Sequence, residues 1–163
     1  MAPPPVFTSY AQLDRDKHLE RFVEVFRDEL RSLTAHPDAV ALAFFDRDGV
    51  DAGDEWSQAI LTAVNSAHVL VCLMSPTYFT REWCGRDLEA FRRRLDRLVP
   101  PPTTVSFIFP VWWQLPVTPR SIPSRLAQFN YRDPSYPREY ETHGLRGLAR
   151  RGGFASRLAL GGV

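Results

Sequence analysis

The sequence predicts an open, mostly parallel α/β sheet with right-handed crossovers and helices on both faces. Three observations support this. Short continuous apolar runs alternate with segments of helical period. Those runs suit strands buried on both faces rather than the in-and-out alternation of an antiparallel sheet. A length of 163 residues, 44% of them apolar and 12% aromatic, fits one domain with a sizeable core.

Val6 to Tyr10 is the first strand. Pro3 to Pro5 cannot join a ladder, so residues 1–5 read as a disordered, proline-rich leader. Leu19, Phe22, Val23, Phe26, Leu30 and Leu33 recur at helical spacing with Arg and Glu between them, until His36-Pro37-Asp38 breaks the helix. Val40 to Phe45 is too short for a helix and reads as a second buried strand. The loop Asp46 to Asp54 holds two glycines and four aspartates, and Asp54 is placed to cap a short helix carrying Trp56, Ala59, Ile60, Ala63 and Val64.

His68 to Met74 is the third strand. Ser75-Pro76 offers an N-cap serine with proline at the first helical position, and Thr80 is placed to cap a longer helix. There Leu88, Phe91, Leu95 and Leu98 face inward while Arg92, Arg93, Arg94 and Arg97 mostly face water, and Pro100 to Pro102 end it. Val105 to Trp113 is the fourth strand, and Pro110 puts its end near a sheet edge or strand terminus. Nine of the fourteen prolines lie between residues 100 and 137, so 114–137 is mostly loop, with a fifth strand around Leu126 to Tyr131. Glu139 to Ala149 is the final helix. The domain thus spans 6–150, and 151–163 is a tail whose glycine-flanked end can fray.

A net charge of +1 excludes a strongly basic nucleic-acid binder. The charge is uneven, however: residues 1–100 carry 12 basic and 16 acidic side chains, and residues 101–163 carry 8 and 3, so the later part is the basic one. No apolar run nears the ~20 residues that span a bilayer, and Met-Ala-Pro-Pro-Pro lacks the regions of a signal peptide, so a cytoplasmic chain without a membrane partner is expected. Cys72 and Cys84 form no disulfide framework, and no Cys/His spacing suits zinc. Neither G-x-G-x-x-G nor G-x-x-x-x-G-K follows the first strand, and no G-x-S-x-G elbow exists. The histidines at 18, 36, 68 and 143 are scattered.

Open parallel sheets take ligands at the carboxyl ends of their strands. Here those ends are Ser9-Tyr10, Asp46 to Asp54, Met74 to Trp83, and Trp112 onward. Trp83 and Asp87, four apart near a helix start, put an aromatic face and a carboxylate on one side, able to grip a sugar or base. The same pair also serves a structural purpose, Trp83 anchoring the helix and Asp87 favouring its dipole. Cys84, in the first turn, is open to two readings: a thiol activated by the dipole, or a buried packing residue. Tyr10, Asp46 and Trp56 are likewise open between contact and packing.

The strings Val-Phe-Thr-Ser-Tyr10, Phe44-Phe45-Asp46 with Gly53 and Trp56, and Met74-Ser-Pro-Thr-Tyr-Phe-Thr-Arg-Glu-Trp-Cys-Gly-Arg-Asp-Leu88 together resemble a TIR domain, especially the TIR-like proteins of actinobacteria. The resemblance covers roughly residues 5–113. It implies a flavodoxin-like sheet of about five parallel strands, homotypic TIR–TIR assembly, and a signalling or defence role. In many members it also implies cleavage of the nicotinamide glycosidic bond of NAD. Carried over by position, Phe7, Ser9 and Tyr10 border the nucleotide pocket, Asp46 to Asp54 is its BB loop with Trp56 behind it, and Trp83 and Cys84 open the W-x-x-x-E signature. The catalytic Glu falls on Asp87. No metal or bound cofactor is implied, NAD being the candidate substrate or ligand.

Nicotinamide leaves a cationic ring as a neutral one, so the chemistry needs no general acid but must steady an oxocarbenium-like sugar. Asp is one methylene shorter than Glu and withdraws the charge by ~1.5 Å, and a ~1 Å misplacement can cost about a hundredfold in rate. Glu82 and Glu89 point well away from Asp87 around the helix. Two functions remain open: an NAD glycohydrolase weakened by Glu-to-Asp, or a TIR interaction or nucleotide-sensing module without turnover.

Overall fold

A computed structural model describes residues 6–38, 43–45, 58–97, 107–116, 122, 124–127, 129 and 132–151. Four strands form one parallel sheet: β1 (Val6–Ser9), β2 (Ala43–Phe45), β3 (Val69–Met74) and β4 (Ile108–Trp112). Their order is β2-β1-β3-β4. Val6 pairs with Ala43 on one side and Val69 on the other, and Leu70 pairs with Ile108. The chain steps outward from β1 to β2, then returns to place β3 on β1's other side. The topological switch point therefore lies between the carboxyl ends of β1 and β3.

The helices are α1 (Lys17–Thr34), α2 (Gln58–Ser66), α3 (Glu82–Asp96), the single turn α4 (Ser124–Ala127) and α5 (Arg138–Arg150). α1 packs with α5, and α2 with α3. Right-handed crossovers run in opposite directions from β1 and from β3, which puts α1 and α3 on opposite faces of the sheet. All four β1 residues are buried, as expected of a central parallel strand, and Phe7, Leu70, Leu73 and Met74 form the middle of the core.

α1 starts where Asp16 accepts from the His18 and Leu19 amides at 2.9 and 3.0 Å, and it ends on Ala35 in the left-handed region at φ 53°. Arg27 is buried on this helix: its Nε and Nη2 donate to the Ala43 carbonyl at 3.2 and 2.9 Å, and its guanidinium lies over the Phe45 ring. α5 breaks at Gly144 (φ 66°, ψ −175°), where the Arg146 amide donates to the Trp113 carbonyl at 3.0 Å. A Cβ at Gly144 would sit 2.6 Å from that carbonyl oxygen, so only glycine lets the helix approach the end of β4 this closely.

Four expectations change. Residues 124–127 of the anticipated fifth-strand region and its flank form a helical turn, with the Phe129 amide donating to the Leu126 carbonyl at 3.0 Å; among the described residues the sheet has four strands. Thr80 does not cap α3. It closes a 3-10 turn, Tyr78–Thr80, and its hydroxyl donates to the Thr77 carbonyl at 2.8 Å, which leaves Arg81 at the cap. Arg94 turns inward rather than to water and donates to the Val64 and Ala67 carbonyls at the end of α2, groups that otherwise lack helical partners. Leu33, assigned to the apolar stripe, is 81% exposed in the last turn of α1. The residue-level expectations for 1–5, 39–42, 46–57, 98–106, 117–121, 123, 128, 130–131 and 152–163, the leader and the tail among them, lie outside the described residues.

Candidate functional site

The switch point gathers side chains from four segments: the end of β1, the 3-10 turn Gln12–Asp14 that follows it, the end of β3 with its 3-10 turn, and the second turn of α3. Ser9, last in β1 and 1% exposed, donates its hydroxyl to Asp87 Oδ2 at 2.7 Å. Its Oγ also lies 3.1 Å from the Tyr78 hydroxyl. Ser9 has one hydroxyl hydrogen, and Asp87 takes it, so Tyr78 must donate to Ser9. The result is a directed chain, Tyr78 to Ser9 to Asp87, in which each bond polarises the next.

Beneath this chain, Cys72 is hydrogen-bonded to Tyr78. Burial pushes the Cys72 thiol up to about 12, and the Asp87 charge adds to the effect. Burial also raises Tyr78 well above its ordinary value, so the phenol remains a donor. Cys84 is 4% exposed. Burial first, and then the Asp87 and Asp14 carboxylates, push its thiol far above the usual range. Cys84 is therefore a neutral packing group, and the helix-start dipole does not activate it.

A second carboxylate completes the constellation. Asp14 accepts from the Ser75 hydroxyl, and Ser75 Oγ accepts from the Tyr78 amide at 3.0 Å, capping the turn as its sequence position anticipates. Burial raises the Asp14 pKa, against the pull of hydrogen bonds from Ser75 and Thr77. Two residues on, burial works against the charged Asp16, but the Leu19 amide, the Arg146 guanidinium and the His18 amide outweigh it and hold the pKa below the usual carboxylate range. Arg146 reaches Asp16 from α5 with Nε at 3.0 Å and Nη2 at 2.7 Å.

Ser9, Cys84 and Asp87, named from the sequence, thus lie together. Tyr10 is buried next to Ser9. Phe7 is wholly enclosed and stacks on Phe44 at 5.5 Å, which places it in the core below the strand ends rather than on an open surface. Asp46 and Trp56 lie outside the described residues, as does the Trp83 side chain. Glu89 pairs with Arg93 at 3.0 Å, away from Asp87. Sequence reasoning missed Asp14 and Tyr78, because nothing local ties Asp14 to Ser75, 61 positions on.

Among the described residues no group of three or more His, Cys, Asp or Glu could hold a metal ion, and no helix is long and apolar enough to cross a membrane. No curated protein and no solved structure matches the chain. The family model described as the TIR domain matches residues 6–149, which include every element of the sheet and the constellation at its switch point. This chain belongs to the TIR domain family.

Proposed function

We propose that this TIR-domain protein works in signalling or defence by binding an NAD-type nucleotide at the carboxyl ends of β1 and β3 and hydrolysing its nicotinamide–ribose bond. Asp87 stands where the family has Glu. The observation behind this reading is the 2.7 Å bond from Ser9 to Asp87, which fixes a carboxylate at the switch point, where such sheets take ligands. Cleavage breaks the bond between ribose C1′ and the nicotinamide nitrogen. The electron pair goes to the ring, which leaves neutral, and water adds to C1′ and releases a proton. Asp87 accepts from the ribose hydroxyls and offsets the positive charge that develops on the sugar. Ser9, itself oriented by Tyr78, keeps that carboxylate from rotating away. Homotypic TIR–TIR assembly is the partner interaction that accompanies this role.

One observation favours a second reading, a nucleotide-sensing or interaction module without turnover: the Ser9 bond also satisfies Asp87 as a purely structural group. Chromatography of NAD incubated with concentrated protein separates the two, with Asp87→Ala and Asp87→Glu run alongside. Nicotinamide release by the wild type that disappears in Asp87→Ala supports hydrolysis. An inert wild type beside an active Asp87→Glu identifies a degenerate site. NAD bound without products by all three leaves the sensing module, and neither binding nor products in any of them defeats the nucleotide reading.

A further inference from the structure

The second half of α5 and the turn after β4 line a half-open cavity of about 490 Å³, within the size range of small-molecule sites. Its polar wall is made by Gln114, Thr142, His143, Arg146, Arg150 and Arg151. Arg146 and Arg150 are four apart, on one face beyond the Gly144 break. Gly147 lies between them and leaves the wall bare there; a Cβ on it would meet the His143 side chain at 2.2 Å.

The charges around this cavity are unbalanced. Asp133, Glu139 and Glu141 are the acids of residues 101–163, and none of them lines it. Arg146 is matched by Asp16, but among the described residues neither Arg150 nor Arg151 pairs with a carboxylate. Arg151 instead donates to His143 Nε2 at 3.1 Å, a neutral acceptor a stronger anion would replace. Three guanidinium groups, less the charge that Asp16 takes, leave two positive charges, which suits a doubly charged anion. Planar guanidinium forks favour phosphate oxygens, and Thr142 and Gln114 add neutral donors.

We propose that this cavity is a binding site for a phosphate-bearing small molecule, with a diphosphate as the class it fits, held by Arg150, Arg151 and Arg146. It shares no lining residue with the Ser9–Asp87 constellation and does not depend on NAD cleavage. The rival explanation is that Arg150 and Arg151 only complement the carboxyl-end dipole of α5. That role would cost stability when they are removed but would create no anion affinity.

Isothermal titration calorimetry with inorganic pyrophosphate at fixed ionic strength tests the proposal, using the wild type, Arg150→Ala, Arg151→Ala, the Arg150→Glu/Arg151→Glu double variant and Asp87→Ala. Saturable binding is expected in the wild type and in Asp87→Ala. A loss of about tenfold or more is expected for each single arginine variant, and no binding for the double variant. Both arginines are exposed or at the helix end, so far-ultraviolet circular dichroism should show the variants folded. Adenosine diphosphate binding tighter than pyrophosphate with the same arginine dependence makes a nucleotide the source of the diphosphate; equal affinity makes the phosphates alone sufficient. Binding that survives in the double variant, binding lost in Asp87→Ala, or none at millimolar pyrophosphate overturns the proposal.

Discussion

Replacing Ser9 by Ala removes one oxygen from the middle of the buried chain and leaves both neighbours without it. The Asp87 carboxylate loses a donor at 2.7 Å, and the Tyr78 hydroxyl loses its acceptor at 3.1 Å. A hydrogen bond to a charged group contributes about 1.5–3 kcal/mol and a neutral one about 0.5–1.5 kcal/mol. Ser9 is too enclosed for bulk water to replace the lost hydroxyl, so Ser9→Ala should cost about 3 kcal/mol. In a chain of this length that lowers Tm by roughly 6–12 °C. Urea unfolding should show the midpoint falling with the slope unchanged, since the exposed surface is the same. The cycle Ser9→Ala, Asp87→Ala and the double variant isolates the charged bond, with an expected coupling of about 1.5–3 kcal/mol. A Ser9→Ala loss below about 0.5 kcal/mol, or additive costs in the cycle, would refute the directed chain.

Gly144→Ala forces a side chain into a glycine-only conformation and against two carbonyl oxygens, so it should destabilise by about 3 kcal/mol or more and free α5 from β4, read by denaturation and by amide exchange at Arg146. Ala35→Gly relieves a left-handed alanine at the end of α1 and should stabilise by about 0.5–1 kcal/mol; a loss on urea denaturation would contradict the cap. Asp14 has a raised folded pKa, so the stability it contributes is complete below the unfolded value of 3.8 and falls away as pH rises through the folded one. Asp14→Asn keeps an acceptor for Ser75 without the charge, so its stability relative to wild type should improve from about pH 3 to about pH 7, and a trend in the other direction would show that burial is not the dominant influence.

β3 was legible because a strand buried on both faces leaves an uninterrupted apolar run, whereas β1, Val-Phe-Thr-Ser, starts apolar and buries two hydroxyl side chains at its end. α1 was legible from its period, although its cap at Asp16 was not read and Arg27 reads as a surface residue until the Ala43 carbonyl is placed beside it. Where it is described, the start of the expected fifth strand is helical for a definite reason. Leu126 and Phe129 are three apart, a spacing a single helical turn satisfies as well as a strand does, and short apolar runs do not discriminate. Thr80 has a capping residue's chemistry, but the 3-10 turn before it reaches its hydroxyl first. Within the site, Ser9, Cys84 and Asp87 were marked by strand ends and helical spacing, which are local. Asp14 meets Ser75 across 61 residues and Arg146 meets Asp16 across 130, contacts with no local signature at all.

The length of the Asp87 side chain has to be judged against Ser9, since the two form one unit. α3 runs close enough to the end of β1 for the shorter acid to take the serine hydroxyl at 2.7 Å, a distance typical of a strong charge-assisted bond. A glutamate on the same helix would carry its carboxylate ~1.5 Å farther. It would have to pass Ser9 or fold back to keep the bond, and either choice costs a rotamer or the serine contact. Because Tyr78 orders Ser9, and Ser75 and Asp14 order the turn bearing Tyr78, displacing the carboxylate strains a chain rather than one pair. The aspartate therefore fits the local packing, and the proposed hydrolysis requires a ribose to come down to it between β1 and β3.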